Sequence, residues 1–212
     1  ILDAAGRAQT AAEDYNQALA TYAKLAALKP DSPLAYLRMA EVQMAAKNKE
    51  AALENLKKAL TVKPDSLEAQ RGIMILQLDA GHVTEALAVA KDIQKQRPKE
   101  AIGYLFEGDA YAAKKSWGDA ASAYRAGLKA VGTNDLAIKL HSSLIAGGNN
   151  AEADKFAESW LKEHPKDTRF RIYLGELATS RKDYAGAAKQ YRMVLDAHPD
   201  DPTALNNMAW VA

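Results

Sequence analysis

The chain has 212 residues, 48% of them hydrophobic and 26% charged, with a formal net charge of +1 and no cysteine. That balance suits a folded globular protein, gives no electrostatic reason to expect nucleic acid or an anionic membrane as partner, and excludes disulfide and thiol chemistry. No apolar run approaches the ~18 residues that a membrane-spanning helix requires. The chain starts at Ile1 and stops at Trp210-Val211-Ala212 inside a helical pattern, so it reads as a fragment of something longer, with any targeting signal outside it.

Prolines set a ruler. Pro30, Pro64 and Pro98 stand 34 residues apart, and so do Pro165 and Pro199. The interval from Pro98 to Pro165 is 67, two periods less one residue, and Gly132 stands where the missing proline would fall. A glycine there still ends a helix, because it enters the left-handed conformation without steric cost. A fixed period of this size predicts a solenoid whose units bury their apolar faces only by stacking. The units are 1–32 (partial), 33–66, 67–100, 101–133, 134–167, 168–201 and 202–212 (partial), read as one array over 1–212.

In chain order, the first unit keeps Gly6, Ala18, Tyr22 and Pro30, with Leu25 at a late position that is small elsewhere. Asp31-Ser32 before Pro33 predicts a capping side chain followed by proline at the first helical position. The second unit supplies Tyr36, Met39, Ala40, Ala52, Leu56, Ala59 and Pro64. Asp65-Ser66 offers the next cap, and the third unit departs from its neighbours, with Met74 and Ala90 at positions that are small and aromatic elsewhere. Gly81 marks its internal turn. The fourth unit has Tyr104, Gly108, Tyr111, Ala120, Tyr124 and Gly127, with Glu107 at a position that favours leucine. The fifth holds His141 and Ala157 where Met74 and Ala90 fall in the third, adds Trp160 one turn later, and turns at Gly147-Gly148-Asn149-Asn150. The sixth is the clearest. Ile172, Leu174 and Leu177 stripe one helix, Arg181-Lys182-Asp183 breaks it, and Tyr184, Ala187, Ala188, Tyr191, Val194 and Leu195 stripe a second. Pro199 stops that helix, and Asp200-Asp201 before Pro202 caps the next. The departing units are expected to be looser or locally repacked.

This period, with small residues in the first helix and Ala, aromatic, Ala and Pro in the second, resembles the tetratricopeptide repeat over the whole chain. The resemblance implies an all-α, right-handed α-solenoid of about six helix-turn-helix repeats, in which first helices line a concave face that binds protein or peptide partners. The Ala-rich helices and the LNNMAW segment at 205–210 are also similar to the repeat lipoprotein of bacterial PEP-CTERM/exosortase gene clusters, a family associated with exopolysaccharide production and surface-protein sorting. That likeness implies an exported parent, periplasmic or anchored outside the inner membrane through a lipidated cysteine absent here. Without it, a cytoplasmic location is expected.

Few residues suggest chemistry. The four histidines are scattered, His164 and His198 each precede a proline at a helix end, His82 lies in a turn, and only His141 occupies a packing position. No nucleophile elbow, phosphate loop or zinc-protease helix is present, and Gly147-Gly148 lacks the Lys-Ser/Thr of a phosphate-binding loop. No enzyme activity, cofactor or metal is expected. By phase with the family's concave face, the partner-binding residues are Leu37, Arg38, Glu41, Met44, Arg71, Leu105, Asp109, Ile138, Ile172 and Glu176. Leu37, Leu105, Ile138 and Ile172 would act as apolar anchors, and Arg38, Arg71, Glu41, Asp109 and Glu176 would set register. The family's clamp for chaperone C-termini uses Lys and Asn at paired offsets. Those offsets hold Asp3 and Arg7, Leu37 and Glu41, and Arg71 and Ile75, so an extended or helical peptide with apolar anchors and some basic residues fits better. A second reading is a spacer or self-associating module of a larger envelope protein, pairing through 202–212. A polysaccharide groove is disfavoured, since Tyr36, Tyr104, Tyr111, Tyr124 and Tyr191 mostly hold packing positions.

Overall fold

The computed structural model describes residues 1–211, so Ala212, the end of the seventh partial unit, lies outside the described residues. Among them are thirteen α-helices and no strand. They are α1 (Leu2–Ala11), α2 (Tyr15–Leu28), α3 (Leu34–Ala45), α4 (Lys49–Val62), α5 (Leu67–Asp79), α6 (Val83–Gln96), α7 (Ile102–Ala113), α8 (Trp117–Ala130), α9 (Asn134–Ala146), α10 (Asn150–Glu163), α11 (Thr168–Ser180), α12 (Tyr184–Ala197) and α13 (Pro202–Val211). The chain divides into two compact units, one of Ile1–Lys114 and one beginning at Lys115. In the first, α1/α2, α3/α4 and α5/α6 form successive hairpins and α7 packs on α6. In the second, α8 packs on α9, α9/α10 and α11/α12 form hairpins, and α13 lies against α12 and α11. The tandem helical hairpins of an α-solenoid are the observed class.

Local chemistry explains where helices begin. The carboxylates or amides of Asp14, Asn48, Asp167 and Asp183 accept backbone N–H groups in the first turns of α2, α4, α11 and α12. Asp201 Oδ1 accepts from Ala204 N at 2.8 Å, with Pro202 opening α13 as expected. At the second unit the start is one residue late. Pro33 sits at the N-cap of α3, and Ser32 Oγ reaches Leu34 N only at 3.4 Å.

The turns that follow the first helices repeat the period. Glu13, Lys47, Gly81, Lys115, Gly148 and Lys182 all hold a left-handed φ of 59–79°. In five of these turns, all but that at Lys115, the next residue donates to a carbonyl five back, as Asp14 N does to Gln9 O (2.9 Å), Asn48 N to Gln43 O (2.8 Å) and Asp183 N to Ala178 O (2.9 Å). These five are Schellman closures, and three of them, at Glu13, Lys47 and Lys182, use a non-glycine residue where glycine is cheapest.

Packing inside the hairpins rests on matched sizes. A Cβ added to Gly6 would stand 2.4 Å from Tyr22 Cζ, and one added to Gly175 would stand 2.4 Å from Tyr191 Cε1, so each tyrosine ring lies flat on a glycine. The two departing units exchange the sizes. Met74 (2% exposed) is the large partner and Ala90 the small one in α5/α6, and buried His141 faces that role with Ala157 in α9/α10. They are repacked, and their cores stay closed. Glu107, at the leucine-favouring position, is accommodated by polarity, since Gln94 Nε2 donates to its Oε2 at 2.7 Å and to Gly103 O at 3.1 Å.

Candidate partner-binding face

In the first unit the first helices of the hairpins leave an apolar cleft of about 340 Å³ between α3 and α5. Its floor is Leu37, Ala40, Leu56, Gly72 and Leu76, and its rim is Glu41, Met44, Glu68 and Ile75. Leu37 is 6% exposed, so this anchor forms the floor of the cleft and belongs to the core it shares with Leu56, Ile73 and Leu76. The apolar surface offered to solvent comes from Met44 (40% exposed) and Ile75 (57% exposed). Gly72 lets the Leu56 side chain pack directly on α5, because a Cβ there would meet Leu56 Cδ1 at 2.8 Å.

The polar residues differ in how free they are. Arg38 Nε donates to Asp3 Oδ1 at 2.9 Å, and Nη1 donates to Glu41 Oε1 and Oε2 at 2.8 and 2.9 Å. Arg7 adds a 3.4 Å ion pair to Asp3. These bonds, that from Glu41 foremost, raise the Arg38 pKa and leave its charge neutralised within the chain. Arg71 is exposed on α5, and neither it nor Glu68 makes a hydrogen bond or ion pair among the described residues. Lys49 pairs with Asp79 across α4 and α5, which raises the lysine pKa. Leu105 and Asp109 are half-buried on α7.

In the second unit, Ile138 is half-buried against a cluster of Ala137, Ala157, Trp160 and Phe170. Ile172 on α11 is half-buried, and Glu176 is exposed. Glu176 lines a second cleft, of about 370 Å³, with Thr179, Tyr191, Asn206 and Trp210. Trp210 is 68% exposed and stands 6.0 Å, ring to ring, from Tyr184.

The structure thus gathers Leu37, Glu41 and Met44 in one cleft, holds Arg38 against Glu41, and places the other residues singly along their helices. Sequence reasoning missed Glu68, Leu56 and Gly72 as members of the cleft. A glycine in the middle of α5, off the position that packs on a tyrosine, was the available signal.

His141 is the buried histidine of the second unit. It is 2% exposed, edge-on to Phe170 and Tyr173, with Nδ1 2.8 Å from Tyr173 Oη. Burial holds its pKa down at about 4, and nearby Arg181 adds to that while Asp154 opposes it. Burial likewise raises Tyr173 to about 12. The pair is a packing contact with its polar atoms satisfied. Among the described residues no three or more His, Asp or Glu gather as a metal would require, and no helix is long and apolar enough to cross a membrane.

Among curated proteins none matches the sequence. Solved structures share the fold. TTC0263, a thermophilic TPR protein of Thermus thermophilus, is 22% identical with a TM-score of 0.52, over 85% of this chain and 98% of that one. PilF of Pseudomonas aeruginosa is 15% identical with a TM-score of 0.58, over 99% and 96%. YrrB, described as a TPR protein with an unusual peptide-binding site, is 14% identical with a TM-score of 0.50, over 87% and 96%. Family profiles described as tetratricopeptide repeat match residues 9–54, 50–105 and 140–202. With those matches spread over most of its length, and with the hairpins that the period demands, the chain belongs to the tetratricopeptide repeat family.

Proposed function

We propose that the chain is a non-catalytic scaffold that holds a segment of a partner protein along the first helices of its hairpins. The observation that carries this is the α3/α5 cleft, whose apolar floor opens between the exposed side chains of Met44 and Ile75. Solvent-facing apolar surface beside a concave floor is the usual mark of a binding surface. The peptide-binding site attributed to YrrB supports the reading by analogy. Arg71, Leu105, Asp109, Ile138, Ile172 and Glu176 remain secondary contacts in this proposal. In this reading, the likeness to the exosortase-associated lipoprotein gives the scaffold a role in the envelope machinery that sorts surface proteins.

Affinity capture from membrane and soluble extracts tests the proposal. Wild-type protein is compared with a Met44→Glu/Ile75→Glu variant of unchanged helicity. A partner recovered by the first and lost by the second supports the scaffold reading, and identical recoveries refute it.

A second reading is favoured by α13, where Trp210 and Leu205 are 68% and 48% exposed. A second copy would cover them, giving self-association through the terminal helix. Sedimentation over a range of concentrations, with Trp210→Glu as control, decides it. A mass independent of concentration rules it out.

A further inference from the structure

The first turn of α11 buries a cation whose hydrogen-bonding capacity is under-used. Arg171 is 8% exposed and takes the place in its unit that Tyr36 and Tyr104 hold in theirs. A guanidinium has five N–H donors. Among the described residues this one makes no ion pair and two hydrogen bonds. Nη2 donates to Pro165 O at 3.3 Å, and Nη1 donates to the thioether sulfur of Met193 on α12 at 3.2 Å. A thioether is a weak acceptor, so the buried charge lacks the strong partner that burial ordinarily demands. Met193 itself is 40% exposed and open to small solutes.

We infer that Met193 is a site of reversible oxidation whose sulfoxide is held by Arg171. The oxidant is a peroxide. A lone pair on Sδ attacks one peroxide oxygen, the S–O bond forms as the O–O bond breaks, and the departing oxygen leaves as water. Sulfur is oxidised and the peroxide reduced. Oxidation of a packed methionine ordinarily disrupts its surroundings, because an apolar group becomes polar. Here the new oxygen carries partial negative charge beside a buried cation. Rotation about the flexible thioether bonds brings it to Nη1, where a charge-assisted hydrogen bond replaces the weak one to sulfur. The α11/α12 hairpin therefore stays joined after oxidation. Met44 provides an internal comparison, since it is also 40% exposed and its sulfur makes no hydrogen bond among the described residues.

The test treats the whole chain with dilute hydrogen peroxide and follows each methionine by peptide mass spectrometry. Met193 should convert at least as fast as Met44. Hydrogen exchange in α11 and α12 is then compared before and after oxidation in a Met39→Leu/Met44→Leu/Met208→Leu background, which leaves only buried Met74 beside Met193. With Arg171 in place, exchange after oxidation should stay within about twofold of the reduced chain, whereas with Arg171→Met oxidation should quicken it by about 10-fold. Met193 left reduced while Met44 is fully converted overturns the inference, and so does exchange that answers to oxidation alike with and without Arg171. Should Arg171→Met fail to fold, the Arg171 chain decides alone: faster exchange after oxidation overturns the inference and unchanged exchange upholds it.

Discussion

Replacing Gly175 by alanine sets two physical rules against each other. Helix propensity alone favours alanine over a mid-helix glycine by about 1 kcal/mol. Packing says the opposite here, because the new Cβ would stand 2.4 Å from Tyr191 Cε1, 2.7 Å from Cζ and 3.0 Å from Cδ1. Ordinary carbon contacts begin near 3.5 Å, so the ring must withdraw by about an ångström. Tyr191 is 1% exposed, and that leaves its ring little room to move. Overpacking of this kind costs about 1–3 kcal/mol, so after the propensity gain Gly175→Ala should be a net loss of up to about 2 kcal/mol. Gly118 is the control. It lies in α8 with nothing within 4 Å of an added Cβ, so Gly118→Ala should stabilise by about 0.5 kcal/mol. Urea titrations followed by circular dichroism at 222 nm measure both, with hydrogen exchange in α11 and α12 to locate the change, because repeat arrays need not unfold in one step. If Gly175→Ala is stabilised by the full ~1 kcal/mol that propensity alone gives, the close glycine–tyrosine packing is wrong.

Three further outcomes are expected. Lys47→Gly and Lys182→Gly, at φ of 61° and 62°, should each stabilise by about 0.5–1 kcal/mol, read as a higher urea midpoint. His141 has a folded pKa of about 4, below its ordinary 6.5, so its contribution is fully present above pH 6.5 and lost as pH falls through 4. The loss should reach about 2–3 kcal/mol, and His141→Gln should flatten that part of the stability-against-pH curve. Arg38→Met should cost no more than about 1 kcal/mol, and the difference should shrink at 1 M salt, because the Asp3–Arg38–Glu41 bridges are partly solvated.

The fold was legible because its determinants are local and repeated. Proline spacing, apolar stripes and capping residues each act within one hairpin, and every copy repeats the message. The substitutions that break the consensus were harder to interpret. Met74 against Ala90 and His141 against Ala157 look like defects one at a time, and only as pairs across a hairpin do they become an exchange of sizes. The binding face was less legible for the same reason. Phase along a helix placed Leu37 on the inward side but could not say that Leu56 of α4 and Leu76 of α5 would bury it. The cleft depends on side chains from three helices and on the missing Cβ of Gly72, and no single helix's periodicity contains that information. The Arg38–Asp3 pair was also out of reach, since Asp3 comes from a different hairpin, whereas Glu41 stands three residues from Arg38 on the same helix.

Photo-crosslinking from two positions on the folded chain tests whether a partner occupies the α3/α5 cleft. A benzophenone amino acid replaces Ile75 at the cleft rim in one sample and exposed Lys57 on α4 in the other, each irradiated in extract of the source cells. Binding at the α3/α5 cleft predicts a discrete crosslinked protein from position 75 and little or none from position 57. Equal yields, or a product from position 57 alone, would contradict it.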